Sequence, residues 1–198
     1  MQTIWHLSRR NAGITIAFGF TLLATEAAKA QSVLLQNYNV SYFVPTTSLS
    51  VEPSLAFTQY WKYAWPFTIM NGAGAVECAG VLHELVVKSS SNRYHFYYRI
   101  RTNSGTSAIS RFQQNIGGVL INAAYRKDLK PAGNYFSPTR AGISPSGVAT
   151  FAFYQPLSCA NGDTPYLLLK SGSPVPQMHP TWIATKTGYS TWLMTWGP

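Results

Sequence analysis

Apolar residues recur at every second position in several short runs of this chain, and beyond residue 30 no run sustains the 3.6-residue period of an amphipathic helix. The clearest run is Arg93 to Arg101. It places Tyr94, Phe96, Tyr98 and Ile100 on one face of a strand and Arg93, His95, Tyr97, Arg99 and Arg101 on the other. Val81 to Lys88 precedes it across Ser89-Ser90-Ser91-Asn92, a short polar connection that predicts a hairpin near the middle of a sheet. Further alternating runs lie within Val33 to Val44, Tyr60 to Trp65, Ile109 to Phe112, Val119 to Arg126, Val148 to Gln155, Tyr166 to Lys170, Trp182 to Thr185 and Thr191 to Trp196. Pro45, Pro66 and Pro156 are expected to end three of them, because proline cannot donate to a ladder. Asn71 to Ala75 reads as a mobile loop, and the Gly- and Pro-rich stretch Lys127 to Gly147 as a loop crossing between sheets. About eight or nine short strands with such turns predict an all-β protein, an antiparallel β-sandwich or jelly-roll-like fold.

The first 30 residues follow a different rule. Arg9 and Arg10 stand without an acid before the apolar run Ile14 to Leu23, and Ala28-Lys29-Ala30 ends the segment with small residues at the positions a signal peptidase reads. The run is well short of the roughly 20 residues that span a bilayer, so residues 1–30 are expected to be a signal peptide and 31–198 one exported β-sandwich domain. Ser8-Arg9-Arg10 is similar to a twin-arginine signal, although Asn11-Ala12-Gly13 lacks the apolar residue usual after the pair, and the export route stays open. No transmembrane segment is expected in the mature chain, and periplasmic and extracellular locations are equally compatible with it.

Charge and cysteines sharpen this picture. The full chain carries a net charge of +9. Without Arg9, Arg10, Lys29 and Glu26, twelve basic and five acidic residues remain, a net +7, which favours acidic partners through a screened attraction. Cys78 and Cys159 both fall in the exported part, where an even pair most simply forms one disulfide.

The material for catalysis is thin. The mature chain has Glu52, Glu77, Glu84, Asp128 and Asp163 and the histidines His83, His95 and His179, with no G-x-S-x-G and no H-E-x-x-H. Adjacent His83 and Glu84 point to opposite faces of a strand. His83 and His95 lie on the two arms of the hairpin and could hold a metal with a third ligand, but a solvated pair is the commoner outcome, so neither metal nor cofactor is expected. The balance leans away from an enzyme.

Two surfaces are candidates for binding. Arg93, His95, Tyr97, Arg99 and Arg101 would carry side chains roughly every 6.6 Å along one strand face, a spacing suited to an extended anionic polysaccharide. The alternative is an ordinary wet side of a sheet. Trp61, Tyr63 and Trp65 share a strand face and could form an aromatic platform for sugar rings, or belong to the core.

The order of Phe96-Tyr97-Tyr98-Arg99-Ile100-Arg101-Thr102-Asn103, Ile109-Ser110-Arg111-Phe112, Ala124-Tyr125-Arg126, Pro138-Thr139-Arg140-Ala141, Gly147-Val148-Ala149-Thr150-Phe151-Ala152-Phe153 and Pro156-Leu157 resembles a domain of secreted bacterial proteins of the PEP-CTERM type. That resemblance implies a β-sandwich and export, and it names no biochemical function. The Pro-Glu-Pro, apolar helix and basic tail that anchor such proteins do not occur in this sequence, which closes on Trp196-Gly197-Pro198. The expected function is therefore an exported binding, surface or matrix protein that recognises an anionic polysaccharide or cell-surface component. A secreted hydrolase acting on a carbohydrate or ester and a structural subunit of an extracellular assembly are the alternatives. Nucleic acid is disfavoured by export, and the sequence leaves the oligomeric state open.

Overall fold

The computed structural model describes residues 33–34, 40–42, 57–89, 91–117, 121–126, 136, 138–171 and 175–198. The expected signal peptide, Glu52 and Asp128 lie outside them. All regular structure in the described residues is β, arranged as two antiparallel sheets packed face to face.

The chain enters with two short strands, β1 (Val33–Leu34) and β2 (Val40–Tyr42). The meander β3 (Phe57–Met70), β4 (Val76–Ser89) and β5 (Tyr94–Ser104) builds half of the first sheet. β6 (Ala108–Asn115) crosses to the second sheet, and β7 (Ile121–Arg126) returns to the first. The hairpin β8 (Arg140–Ile143) and β9 (Val148–Ser158) belongs to the second sheet, β10 (Tyr166–Ser171) to the first. The closing hairpin β11 (Gln177–Thr185) and β12 (Ser190–Gly197) completes the second. Spatial order is β1-β7-β10-β5-β4-β3 in one sheet and β12-β11-β6-β9-β8-β2 in the other.

The alternation read in Arg93 to Arg101 sets the core. Phe96, Tyr98 and Ile100 turn inward and are fully buried, and the Tyr98 ring lies 4.9 Å from Phe112 of the opposite sheet, which in turn packs on Phe151. Leu82 and Val86 of β4 and Ala149, Phe153 and Ile183 of the second sheet fill the same layer. Burial of this apolar surface is the main favourable term, each large side chain contributing about 1.5–3 kcal/mol.

Four local expectations change. Pro66 does not end its strand: β3 is the outermost strand of its sheet, so the missing N–H falls where no neighbour needs it. Pro156 likewise lies within β9, beyond the residues that β8 pairs. The stretch expected to be a crossing loop contains β8, whose Arg-Ala-Gly-Ile is too short to announce itself by alternation. Asn71 to Ala75 forms a tight turn, its Asn71 side-chain oxygen accepting hydrogen bonds from Ala73 N and Ala75 N.

Cys78 of β4 and Cys159, just past the end of β9, form the disulfide, with Cα atoms 5.1 Å apart, and it ties the first sheet to the second. The corner beneath it is close-packed. Gly105 has φ +139°, and a Cβ there would meet Glu77 O at 2.3 Å and Cys159 Cβ at 2.9 Å, so only glycine fits. The segment that leaves Cys159 is pinned to β5: the Thr102 hydroxyl donates to Ser158 O at 2.6 Å and accepts from Gly162 N, while Thr164 Oγ1 accepts from Ile100 N.

Candidate functional site

The outermost strand of the first sheet faces the outermost strand of the second, and aromatic residues from both converge there. Along β3 the inward residues are Trp61, Tyr63 and Trp65, followed by buried Phe67 and Ile69. Register places Trp61 opposite Val86 and Tyr63 opposite Glu84. From β12, Trp196 approaches Tyr63 to a centroid distance of 6.2 Å. Trp61 stacks at 6.1 Å on Tyr94, and Tyr63 at 5.8 Å on Trp65. Trp61, Tyr63, Tyr94 and Trp196, with Val86 and Pro176, line an open cleft of about 250 Å³.

Beneath the cleft lies a carboxyl that no charged group offsets. Glu84 is only 2% exposed. Its Oε2 accepts a hydrogen bond of 2.8 Å from the Trp65 indole, and it also takes one from the Trp196 backbone N–H. Its Oε1 is buried without a hydrogen-bond partner. Loss of hydration disfavours the charged form more than these two donors favour it, so the carboxyl is pushed up to about 7. Tyr98 donates its hydroxyl hydrogen to the Trp196 carbonyl, and burial holds its own ionisation well above the usual phenol range. Glu84 and Tyr98 therefore take both backbone groups of Trp196. An edge strand has a row of such groups without a strand partner. Here side chains of the opposite sheet satisfy them and hold the Trp196 indole at the cleft.

A second polar group extends this line into the second sheet. Thr195 Oγ1 donates to Gln114 Oε1 at 3.0 Å and lies 2.7 Å from Thr181 Oγ1, which itself donates to Gln114. Both hydroxyls give their hydrogen to Gln114 Oε1 and so fix β12 against β11 and β6, while Gln114 Nε2 is buried without a hydrogen-bond partner.

The basic stripe has a different fate along its length. Arg93 and Arg101 are exposed. His95 is 7% and Tyr97 1% exposed, so the middle of the stripe is buried rather than a wet side. Tyr97 packs edge-on against Tyr166 of β10 at 6.3 Å. Arg99 is engaged within the fold: its Nε and Nη2 donate to Asp163 Oδ1 and Oδ2 at 2.7 and 2.5 Å, and its guanidinium lies 6.0 Å from the Tyr166 ring. The paired hydrogen bonds to Asp163 raise the Arg99 value further and fasten the segment after Cys159 to β5. The face of β5 is thus a structural seam flanked by two exposed arginines.

His83 and His95 do not face each other, because the register sets His83 opposite Arg99 and His95 opposite Val87. Burial, and next the Arg99 charge, hold His83 below its ordinary value. Among the described residues no group of three His, Cys, Asp or Glu side chains is placed to hold a metal. No helix of the described residues is long and apolar enough to cross a membrane.

The aromatic trio read from sequence thus meets at one cleft. Trp61 and Tyr63 line it, while Trp65 supports Tyr63 from behind and bonds Glu84. Sequence reading did not place Tyr94 or Trp196 with them: Tyr94 lies two strands away in the same sheet, and Trp196 comes from the opposite sheet. The inward alternation of Tyr94 was a signal for one of the two. Compared with known proteins, the chain matches no family model, no curated protein and no solved structure.

Proposed function

We propose that this protein is an exported, non-enzymatic carbohydrate-binding protein whose cleft between β3 and β12 grips a sugar ring. The observation that carries the reading is the convergence of Trp61, Tyr63, Tyr94 and Trp196 on one open cleft. Rigid aromatic faces offer apolar area to the C–H faces of a pyranose, with phenol and indole groups at their edges for its hydroxyls. Export is supported by the leader read in residues 1–30, by the disulfide and by the resemblance to PEP-CTERM-type secreted proteins.

Trp61 is the residue to remove, because it is partly exposed and its loss leaves the core intact. Trp61→Ala is expected to weaken binding to the preferred glycan at least about tenfold, or about 1.4 kcal/mol, with the melting temperature little changed. Tryptophan fluorescence titrated with a panel of neutral and acidic oligosaccharides checks this. Equal affinity of the variant, or a panel that leaves the fluorescence unmoved, would sink the reading.

A second reading, a subunit of an extracellular assembly, is favoured by the outer face of the closing hairpin. Trp192 is 63% exposed there, and Met194 of the outermost strand β12 and Met178 of its neighbour β11 are exposed as well. Such a row suits an interface. Native mass spectrometry of the mature protein is expected to show an oligomer that Trp192→Ser dissolves, and a monomer at high concentration would exclude it.

A further inference from the structure

The outer face of the second sheet carries a charge arrangement separate from the cleft. Register sets Arg111 of β6 opposite Ala152 of β9, and Arg140 of β8 opposite the same Ala152 from the other side. The two arginines are therefore cross-strand neighbours but one, roughly 9.6 Å apart at the backbone. Both side chains are exposed, and neither forms an ion pair among the described residues. Between them lies a hollow of about 350 Å³, floored by Gly142, Thr150 and Ala152, whose small side chains leave it unfilled.

Three further facts make this hollow an anion site in chemical terms. The strands of the second sheet contain no aspartate or glutamate at all, so no acid of that sheet offsets the two charges. Gln113 Nε2 donates to Thr150 Oγ1 at 3.1 Å, which occupies the hydroxyl oxygen as acceptor and leaves its hydrogen to be given to a ligand. Tyr154, two residues beyond Ala152 on the same face of β9, is an 85% exposed aromatic side chain.

We infer that the Arg111–Arg140 hollow is a second binding site, which takes the carboxylate or sulfate group of an acidic polysaccharide while the attached sugar ring stacks on Tyr154. The guanidinium forks match the planar carboxylate and the sulfate oxygens, and the Thr150 hydroxyl adds a third donor. An aromatic ring beside the charged hollow favours a sugar acid over a bare phosphate diester, and the protein's net positive charge draws such a polymer to the surface. This face does not touch the aromatic cleft, so the two sites fail or succeed independently.

The test is affinity electrophoresis of the mature protein through gels holding polygalacturonate, dextran sulfate or neutral dextran, over a range of salt concentrations. Wild type is expected to be retarded by the two acidic polymers and not by neutral dextran, with retardation fading as salt rises. The Arg111→Ala, Arg140→Ala double variant should lose at least about tenfold in apparent affinity. Tyr154→Ala should lose severalfold on both acidic polymers. A charge-matched Arg93→Ala, Arg101→Ala variant is the control. If it loses as much as the Arg111, Arg140 pair, retardation follows net charge and the localised site is overturned. Unchanged retardation of the Arg111, Arg140 variant overturns it too, as does equal wild-type binding to anionic phospholipid vesicles or duplex DNA at matched salt.

Discussion

Replacing Cys78 and Cys159 by alanine is expected to lower the stability of this protein by about 4 kcal/mol, the largest effect of any simple substitution considered. The bond joins residues 81 apart in sequence. In the chain-entropy account a crosslink of that span removes roughly 4–5 kcal/mol of conformational freedom from the unfolded state. Both cysteines are fully buried, so alanine keeps the site apolar and adds only a small cavity cost. Urea titration of the double variant against wild type measures the difference, and thermal melting should show a fall of roughly 10 °C. The neighbouring Arg99–Asp163 pair fastens the same segment, so its removal alone should matter far less: the pair is partly open to solvent, where ion pairs are screened. A double-cysteine variant within about 1 kcal/mol of wild type would show that Thr102, Thr164 and the ion pair already close the corner without the bond.

That corner also shows how far the sequence could be read. Alternation identified the hairpin of β4 and β5 and the inward set Phe96, Tyr98 and Ile100, because a period of two is a local property that survives any tertiary arrangement. Two cysteines in one chain left a single intramolecular pairing. What alternation could not convey is which outward faces are then covered. Arg93, His95, Tyr97, Arg99 and Arg101 are equivalent by period, yet Tyr97 is buried beside Tyr166 and Arg99 is spent on Asp163, a partner 64 residues away. β5 runs between β4 and β10, and only a strand's neighbours decide what lies over its outer face.

The candidate site divides in the same way. Trp61, Tyr63 and Trp65 share a face by local spacing, whereas Trp196 joins them only because the last strand of the chain lies opposite the third. Arg111 and Arg140 are 29 positions apart and unremarkable in sequence, and they become a pair only through their common neighbour Ala152. Pro66 misled for a related reason: its meaning depends on whether the strand is at the edge of a sheet, which composition does not encode.

Stability is expected to fall as pH rises from about 4.5 to about 7, and Glu84 is the cause. Its ordinary value is 4.5, and in the fold it is raised to about 7. The native state therefore holds a proton across this interval that the unfolded chain releases. The sign follows directly: the stabilisation that belongs to the protonated carboxyl is complete below 4.5 and is lost as pH climbs through 7. The size is about 3 kcal/mol, and solvent screening reduces it little, since Glu84 is 2% exposed and desolvation is the leading cause. His83 works in the opposite direction, because its value is lowered and its contribution grows as pH rises through the region below 6.5. Wild-type curves alone would mix the two. Glu84→Gln separates them, since glutamine keeps an oxygen for the Trp65 indole and for the Trp196 N–H but cannot ionise. Urea titrations of both proteins from pH 4 to pH 8.5 should show the variant gaining on wild type by about 3 kcal/mol over that range, and exceeding its own low-pH difference most clearly above pH 7. Parallel curves would mean that Glu84 ionises in the fold at the same pH as in the unfolded chain, and that water or a closer donor reaches its second oxygen.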